Sequence, residues 1–405
     1  NELDIDVVIK GVKLKSFKNF ELNEILIPDL YGDTIVYIPE IKINLEQIKI
    51  INNKYIINDL TIKDAQFNIR KKKNNKEYDY EYLLRNLNNN SEKKNSPISL
   101  EIKSFILDNC SFLHFNEESF INSQYIDLQS FKLTNLNSLF ENISLTKNYL
   151  LTDIIHLSFM EKSGFVLSDL NAKIILDSTK INVAQLNILT NNSSISSNNL
   201  DYFLKIDSSK NSPIGYSAKG FSSKLDYRDI NFFIESPIIS KSLFEIYSDF
   251  SGDFNHFNAE KFKFKFGNKS VLNADLEISD FSNINFKVLI ENSQLFKNDI
   301  EALKFYDNNN QLKSVVIPSN FKNLNQMNLG FFSEGNMIQS TTSFDIESNL
   351  GDISGDFALH IKDSNNIFYE LIINANNLSG VLVSNDNYLD KFSSNVKIKG
   401  SGVEK

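Results

Sequence analysis

The chain has 405 residues and a formal net charge of −9. That acidic balance argues against nucleic acid as a partner, because phosphate binders present a basic face. Apolar residues make up 41% and charged residues 23%, an ordered composition whose length admits two or three domains or one extended repeat array. The single cysteine, Cys110, excludes an intramolecular disulfide.

No apolar run approaches the ~20 residues needed to cross a bilayer. The numbering opens inside a strand-like run, Leu3 to Ile9, and the expectation is a fragment whose export or anchoring segment lies upstream. Period-two alternation then recurs along the chain. Ile41, Ile43 and Leu45 alternate with Lys42, Asn44 and Glu46. Leu100 and Ile102 open another run. Val166, Leu170, Ala172, Ile174 and Leu176 fall on one face of a long run, with Ser168 as a small polar break. Phe262, Phe264 and Phe266 are separated by lysines. Leu276 and Ile278 are followed by Phe286, Val288 and Ile290, and Phe357, Leu359 and Ile361 repeat the pattern near the end. This is the signature of strands with one apolar and one solvated face. Connections too short for crossover helices predict antiparallel order. The fold class expected is therefore all-β, predominantly antiparallel. Gly is scarce, at 14 residues, but Asn, Ser and Asp make turns through their own side chains.

Helical spacing occurs in three places. Tyr80, Leu83, Leu84 and Leu87 lie in a polar insertion spanning 70–97, which opens with Arg70 to Lys73 and reads as a solvated surface loop. Ser236-Pro237 reads as a helix start over 236–248, and Ser293 as the cap of a helix over 293–304. The last two suggest an internal repeat of strand and packing helix. The segments expected are an N-terminal β region at 1–69, the insertion at 70–97, and a continuing repetitive β region at 98–405. Asn191 to Asn199 reads as a smaller polar break.

Chemistry-bearing motifs are sparse. The four histidines, His114, His156, His256 and His360, lack histidine or cysteine partners at metal-ligand spacing. No phosphate loop, nucleophile elbow or dinucleotide fingerprint is present. Asp253 with His256, and Asp352 with Asp356, read as turn and solvent-face residues. No enzyme activity, metal or cofactor is expected.

The stretch KGVKLKSFKNFELNEILIPDLYGDTI, Lys10 to Ile35, continues as a strand pair ending in Leu60, Ile62, Ala65, Phe67 and Ile69. Its order, with Asp29, Gly32, Asp33 and Thr34 at the turn, resembles the N-terminal region of TamB-type proteins of the AsmA-like superfamily, the bridge-like lipid-transfer proteins. The block Ile98 to Phe112 is similar to the strand pair that follows in that family. The resemblance implies an elongated, curved, taco-like sheet whose hydrophobic groove carries phospholipid acyl chains. It implies a periplasmic protein anchored to the inner membrane by an upstream helix and reaching an outer-membrane insertase-type barrel. The function implied is phospholipid movement between membranes or outer-membrane protein assembly. The groove candidates are Leu100, Ile102, Val166, Leu170, Ile174, Leu176, Phe262, Phe264, Phe266, Leu276, Ile278, Phe286, Val288, Ile290, Phe357, Leu359 and Ile361. Periodicity alone does not separate an open groove from an ordinary core covered by a second layer. The rival reading is a secreted or surface β-solenoid adhesin, which uneven strand spacing and scarce Gly disfavour. A glycan-active β-sandwich would need a carboxylate pair that nothing in the sequence singles out.

Overall fold

The computed structural model describes residues 7–29, 32–49, 54–73, 77–81, 99–118, 125–204, 215–234, 238–240, 242–306, 311–363, 366–382 and 390–402. The chain is all-β. Twenty-one strands belong to one mostly antiparallel sheet, and three short ones form a second. Two compact units are present: residues 1–194 with 232–235, and residues 195–231 with 236–405.

The first unit contains β1 (Val8–Ser16), β2 (Asn19–Pro28), β3 (Thr34–Lys49), β4 (Lys54–Lys63), β5 (Gln66–Lys71), β6 (Ser99–Asn116), β7 (Ser130–Thr146), β8 (Tyr149–Glu161), β9 (Val166–Leu176) and β10 (Lys180–Thr190). Sequential strands pair antiparallel except around β5, which like β4 pairs antiparallel with β3, while β6 lies parallel to β4 and then to β5. Arg70 and Lys71 therefore belong to a paired strand rather than to a loop, and Lys72 reaches Asp33 at 2.8 Å. Of the helix expected over 78–87, residues 82–87 lie outside the described residues. A buried cluster of Ile25, Ile38, Ala65, Cys110 and Leu136 anchors this unit, with Leu22, Phe67, Phe112 and Phe159 packed against it.

β11 (Ser194–Phe203) spans most of the segment read as a polar break. Its sequence, SISSNNLDYF, lacks the alternating large apolar residues that mark the other strands, so periodicity passed over it. The second unit continues with β12 (Gly215–Leu225), α1 (Tyr227–Ile230), β13 (Ile238–Ile239), β14 (Phe244–Asp253), β15 (His256–Phe266), β16 (Ser270–Ser279) and β17 (Asn285–Phe296). It ends with α2 (Lys297–Glu301), β18 (Lys304–Tyr306), β19 (Leu312–Ser314), β20 (Gln326–Asn336), β21 (Gln339–Ser348), β22 (Gly351–Asp363), β23 (Asn366–Ser379) and β24 (Lys391–Ser401).

Two helix expectations are corrected here. Ser236 and Pro237 lie outside the described residues, but Ile239 is in β13 and Phe244 to Tyr247 are in β14, so no helix spans 236–248. Ser293 does not cap a helix. It is 1% exposed within β17, where its hydroxyl accepts from the Asn273 amide at 2.8 Å. Among the described residues the helices over 227–230 and 297–301 are one-turn elements at strand ends, and they do repeat. Leu225-Asp226-Tyr227-Arg228-Asp229-Ile230 matches Leu295-Phe296-Lys297-Asn298-Asp299-Ile300 in its Leu, Asp and Ile, and both aspartates are buried, at 6% and 4% exposure. The 3.6-period signal over 236–248 was misread because alternating strand residues also supply apolar pairs at i and i+4.

Strands β2, β6, β7, β10, β15, β17 and β23 each contain a non-glycine residue at positive φ: Glu24, Asn109, Asn135 and Asn142, Gln185, Lys261, Asn292 and Asn377. Most of these coincide with register shifts, which makes them β-bulges. At a bulge two consecutive residues oppose one, so the inward set changes parity. In β15 the inward residues are Phe257 and Ala259, then, after Glu260-Lys261, Phe262, Phe264 and Phe266. The Lys261 amide is satisfied by the Asp275 carboxylate at 2.7 Å, the Gly220 amide by Asp249 at 2.6 Å, and the Asn377 amide by Ser393 at 3.0 Å.

Candidate functional site

Register places the apolar side chains in rows that cross the strands. In the first unit one row runs Leu14, Phe20, Ile43, Leu60, Phe105, Phe140, Ile154 and Ala172. Leu100 and Leu176 share another, Tyr55–Leu100–Leu145–Leu150–Leu176–Ile181. Ile102 stands between Ile57 and Ile143, Ile174 between Thr152 and Val183, and Leu170 opposite Ile188.

Val166 is a correction. A register shift at Ser168-Asp169 puts Leu167, 5% exposed, opposite Phe159 on the packed side. Val166 instead pairs with Met160, which is 42% exposed. Ser168 is thus part of a bulge and not a gap in the apolar face.

In the second unit a ten-strand row runs Ala218, Phe250, Ala259, Leu276, Val288, Ser333, Thr342, Phe357, Leu371 and Ile398. Beside it lie Phe257–Ile278–Phe286–Gly335–Ser340–Leu359–Tyr369 and Phe262–Ala274–Ile290–Phe331–Phe344–Gly355–Ile373–Val396. Phe264 faces Leu272, stacks on Phe244 at 5.8 Å and meets Phe266 at 5.3 Å. Ile361 faces Ile367. None of these rows contains a charged residue.

Among the described residues complete burial is confined to small side chains, while large ones range from buried, as at Ile102, Ile154 and Phe266 with 6%, 8% and 8% exposure, to half-buried. The side chains with almost no exposure are small: Ala259 at 0%, with Ala65, Cys110, Ser130, Ser223, Ser270 and Ser293 at 1%. Leu276, Val288, Phe286 and Phe357 are only half-buried. A two-layer core would reverse this order, because large apolar side chains gain most from complete burial. The small residues cluster beside the bulges, where the backbone bends and leaves least room on the inner side.

The opposite face carries charges that alternate in sign along its own rows. Lys224, Glu245 and Lys265 form one, with Glu245 3.1 Å from Lys265. Glu277, Lys287 and Glu334 form a second. Hydrogen bonds from Lys265 and Tyr247 hold the Glu245 carboxyl below its usual range.

His156 of β8 hydrogen-bonds Asp169 through Nδ1 at 2.6 Å and Ser158 through Nε2 at 3.0 Å. This connectivity, shared with hydrolase triads, went unnoticed in the sequence because Asp169 lies on another strand. Its signal was a His-x-Ser pair on one strand face. The His156 and Asp169 side chains are 43% and 30% exposed, so water competes for each bond, and the contact joins β8 to β9 beside the Ser168-Asp169 bulge. His256 lies 3.5 Å from Glu277. Among the described residues no three His, Cys, Asp or Glu side chains gather as a metal site, and no helix is long and apolar enough to cross a membrane.

Comparison with known proteins adds no relative. No family model, curated protein or solved structure matches the chain.

Proposed function

We propose that the chain conducts phospholipid acyl chains along the uncharged apolar rows of its sheet, as a non-catalytic periplasmic bridge-like protein of the TamB type. The observation that carries this reading is the ten-strand row from Ala218 to Ile398: continuous, uncharged, and with its large members left half-buried. An acyl chain laid across such a row gains about 0.8 kcal/mol for each CH2 removed from water. Movement from one row to the next breaks no covalent bond, so no nucleophile or acid is required. Anchoring to an inner membrane and contact with an outer-membrane insertase-type barrel belong to the same reading and rest on the sequence resemblance. The β-solenoid alternative is disfavoured, since coils of a solenoid stack in parallel and, among the described pairings, only β4–β6 and β5–β6 run that way.

The test is a pair of charged substitutions, Leu276→Glu and Phe286→Asp, assayed for melting temperature and for photo-crosslinking to a lipid with a diazirine acyl chain. An open groove hydrates the new carboxylate, so melting stays near wild type while crosslinking falls. A sealed core leaves the ion unpaired, which costs several kcal/mol and unfolds the unit. That outcome overturns the reading.

A further inference from the structure

β1 is a sheet edge among the described residues: it pairs with β2 and with no other strand. Its apolar residues nevertheless continue the inner rows. Val12 extends Leu22–Ile41–Ile62–Leu107, and Leu14 extends Phe20–Ile43–Leu60. Both are more than 60% exposed, because nothing stands on their far side. The outer face of the same strand carries Lys13 and Lys15. Lys13 opens a row of alternating sign, Lys13–Glu21–Lys42. Glu21 lies between Lys15 and Lys13, whose hydrogen bonds, that from Lys15 the stronger, hold its carboxyl down at about 2. One carboxylate thus answers two lysines. The same sign rule governs Glu40–Lys63–Asp108 and Glu277–Lys287–Glu334. Carried one strand beyond β1, it calls for an acidic residue opposite Lys13.

We propose that the β1 edge is an acceptor site for an extended polypeptide segment that alternates apolar with acidic residues and adds to the sheet as a further strand. Main-chain hydrogen bonds along the edge would supply affinity, and the side-chain alternation would supply register. The apolar residues of the incoming strand would cover Val12 and Leu14, and its carboxylates would meet Lys13 and Lys15. A second copy of this chain is a poor occupant. The other free edge, β24, presents Lys397 and Lys399 on Glu370, so joining β24 to β1 would set lysine beside lysine. Edge lysines of this kind oppose self-association. The site is independent of the lipid reading, since it uses the strand edge and the outer face.

Amide hydrogen exchange of the whole chain tests this with two synthetic ten-residue peptides, one alternating Val with Glu and one alternating Val with Lys. The Val-Glu peptide is expected to slow exchange in Val8–Ser16, with the effect fading as added salt screens the charges. The Val-Lys peptide is expected to leave Val8–Ser16 unchanged. In a Lys13→Glu, Lys15→Glu variant the preference should reverse. If that variant loses β1, the two peptides on the unmodified chain still decide the matter. Equal protection by both peptides, protection by neither, or concentration-dependent protection of Val8–Ser16 without peptide, as a second copy would give, overturns the proposal.

Discussion

Asp299 shows how one side chain fixes a turn. Its carboxylate, 4% exposed, accepts from the amides of Asn268, Lys269 and Ser270 at 2.8, 3.0 and 2.9 Å and from the Ser270 hydroxyl at 2.9 Å. Burial pushes this carboxyl up, but these donors together hold it below its usual range. A carboxylate whose folded value is depressed stabilises fully above its ordinary value and loses that contribution as the pH falls. Asp299→Asn should therefore destabilise the chain by about 1–3 kcal/mol near neutral pH, since it unpairs buried donors. The gap from wild type should narrow on acidification below about pH 4, as read by urea melts across a pH series. Gly267, at φ +64°, lies so close that an added Cβ would come within 2.2 Å of Asp299 Cγ. None of this was legible beforehand: a single Asp in a polar stretch carries no mark of the turn it holds some thirty residues away.

At the scale of elements, strand identity was readable and strand phase was not. Lysines between Phe262, Phe264 and Phe266 announced β15, but Glu260-Lys261 looked like two solvent residues in a row. They are a bulge, and similar polar pairs at Ser168-Asp169, Asp108-Asn109 and Asn376-Asn377 mark three more. Strict period two assigned Val166 to the wrong side for that reason. Helices were misplaced because one-turn elements such as α1 and α2 are too short to show a period. The bulge predicts a contrast between two changes at one position. Lys261 holds φ +52°, a conformation that costs an L-residue roughly 1–2 kcal/mol. Lys261→Gly should leave the fold intact and raise its melting temperature slightly. Deleting Lys261 should instead leave Glu260 alone opposite Asp275, so that Phe262, Phe264 and Phe266 keep facing inward while the bulge and the Lys261 amide bond to Asp275 are lost. Calorimetry should show a lowered melting temperature in the deletion alone.

For the molecule as a whole, the question legible in the sequence but not answerable from it was whether the apolar face is covered. Alternation is identical for a groove and for a core; exposure as a function of residue size is what distinguishes them, and that depends on long-range geometry. The Ala218–Ile398 row predicts an inverted mutational profile. Ala259, with 0% exposure, should tolerate Leu poorly, at about 1–3 kcal/mol for overpacking. Leu276→Ala should cost less than the roughly 2–5 kcal/mol usual for a sealed site, because its neighbours leave part of it open. Denaturant melts of the two variants measure both. A larger loss from Leu276→Ala than from Ala259→Leu would mean the face is closed.

The parallel lie of β6 against β4 and β5 has a consequence for how quickly the chain acquires its shape. Most neighbours here are hairpin partners, joined across a few residues, and such contacts close with little loss of chain entropy. β6 is separated from β4 by residues 64–98, and β20 from β17 by residues 297–325, so these two pairings close longer loops. Refolding should therefore proceed in blocks, with β6 to β10 and β20 to β24 gaining protection as local hairpin runs and the β4–β6 and β17–β20 seams closing last. Pulse-labelled exchange during refolding would show those two seams as the late amides, whereas a nascent chain leaving the ribosome could close the β4–β6 seam before β20 to β24 exist.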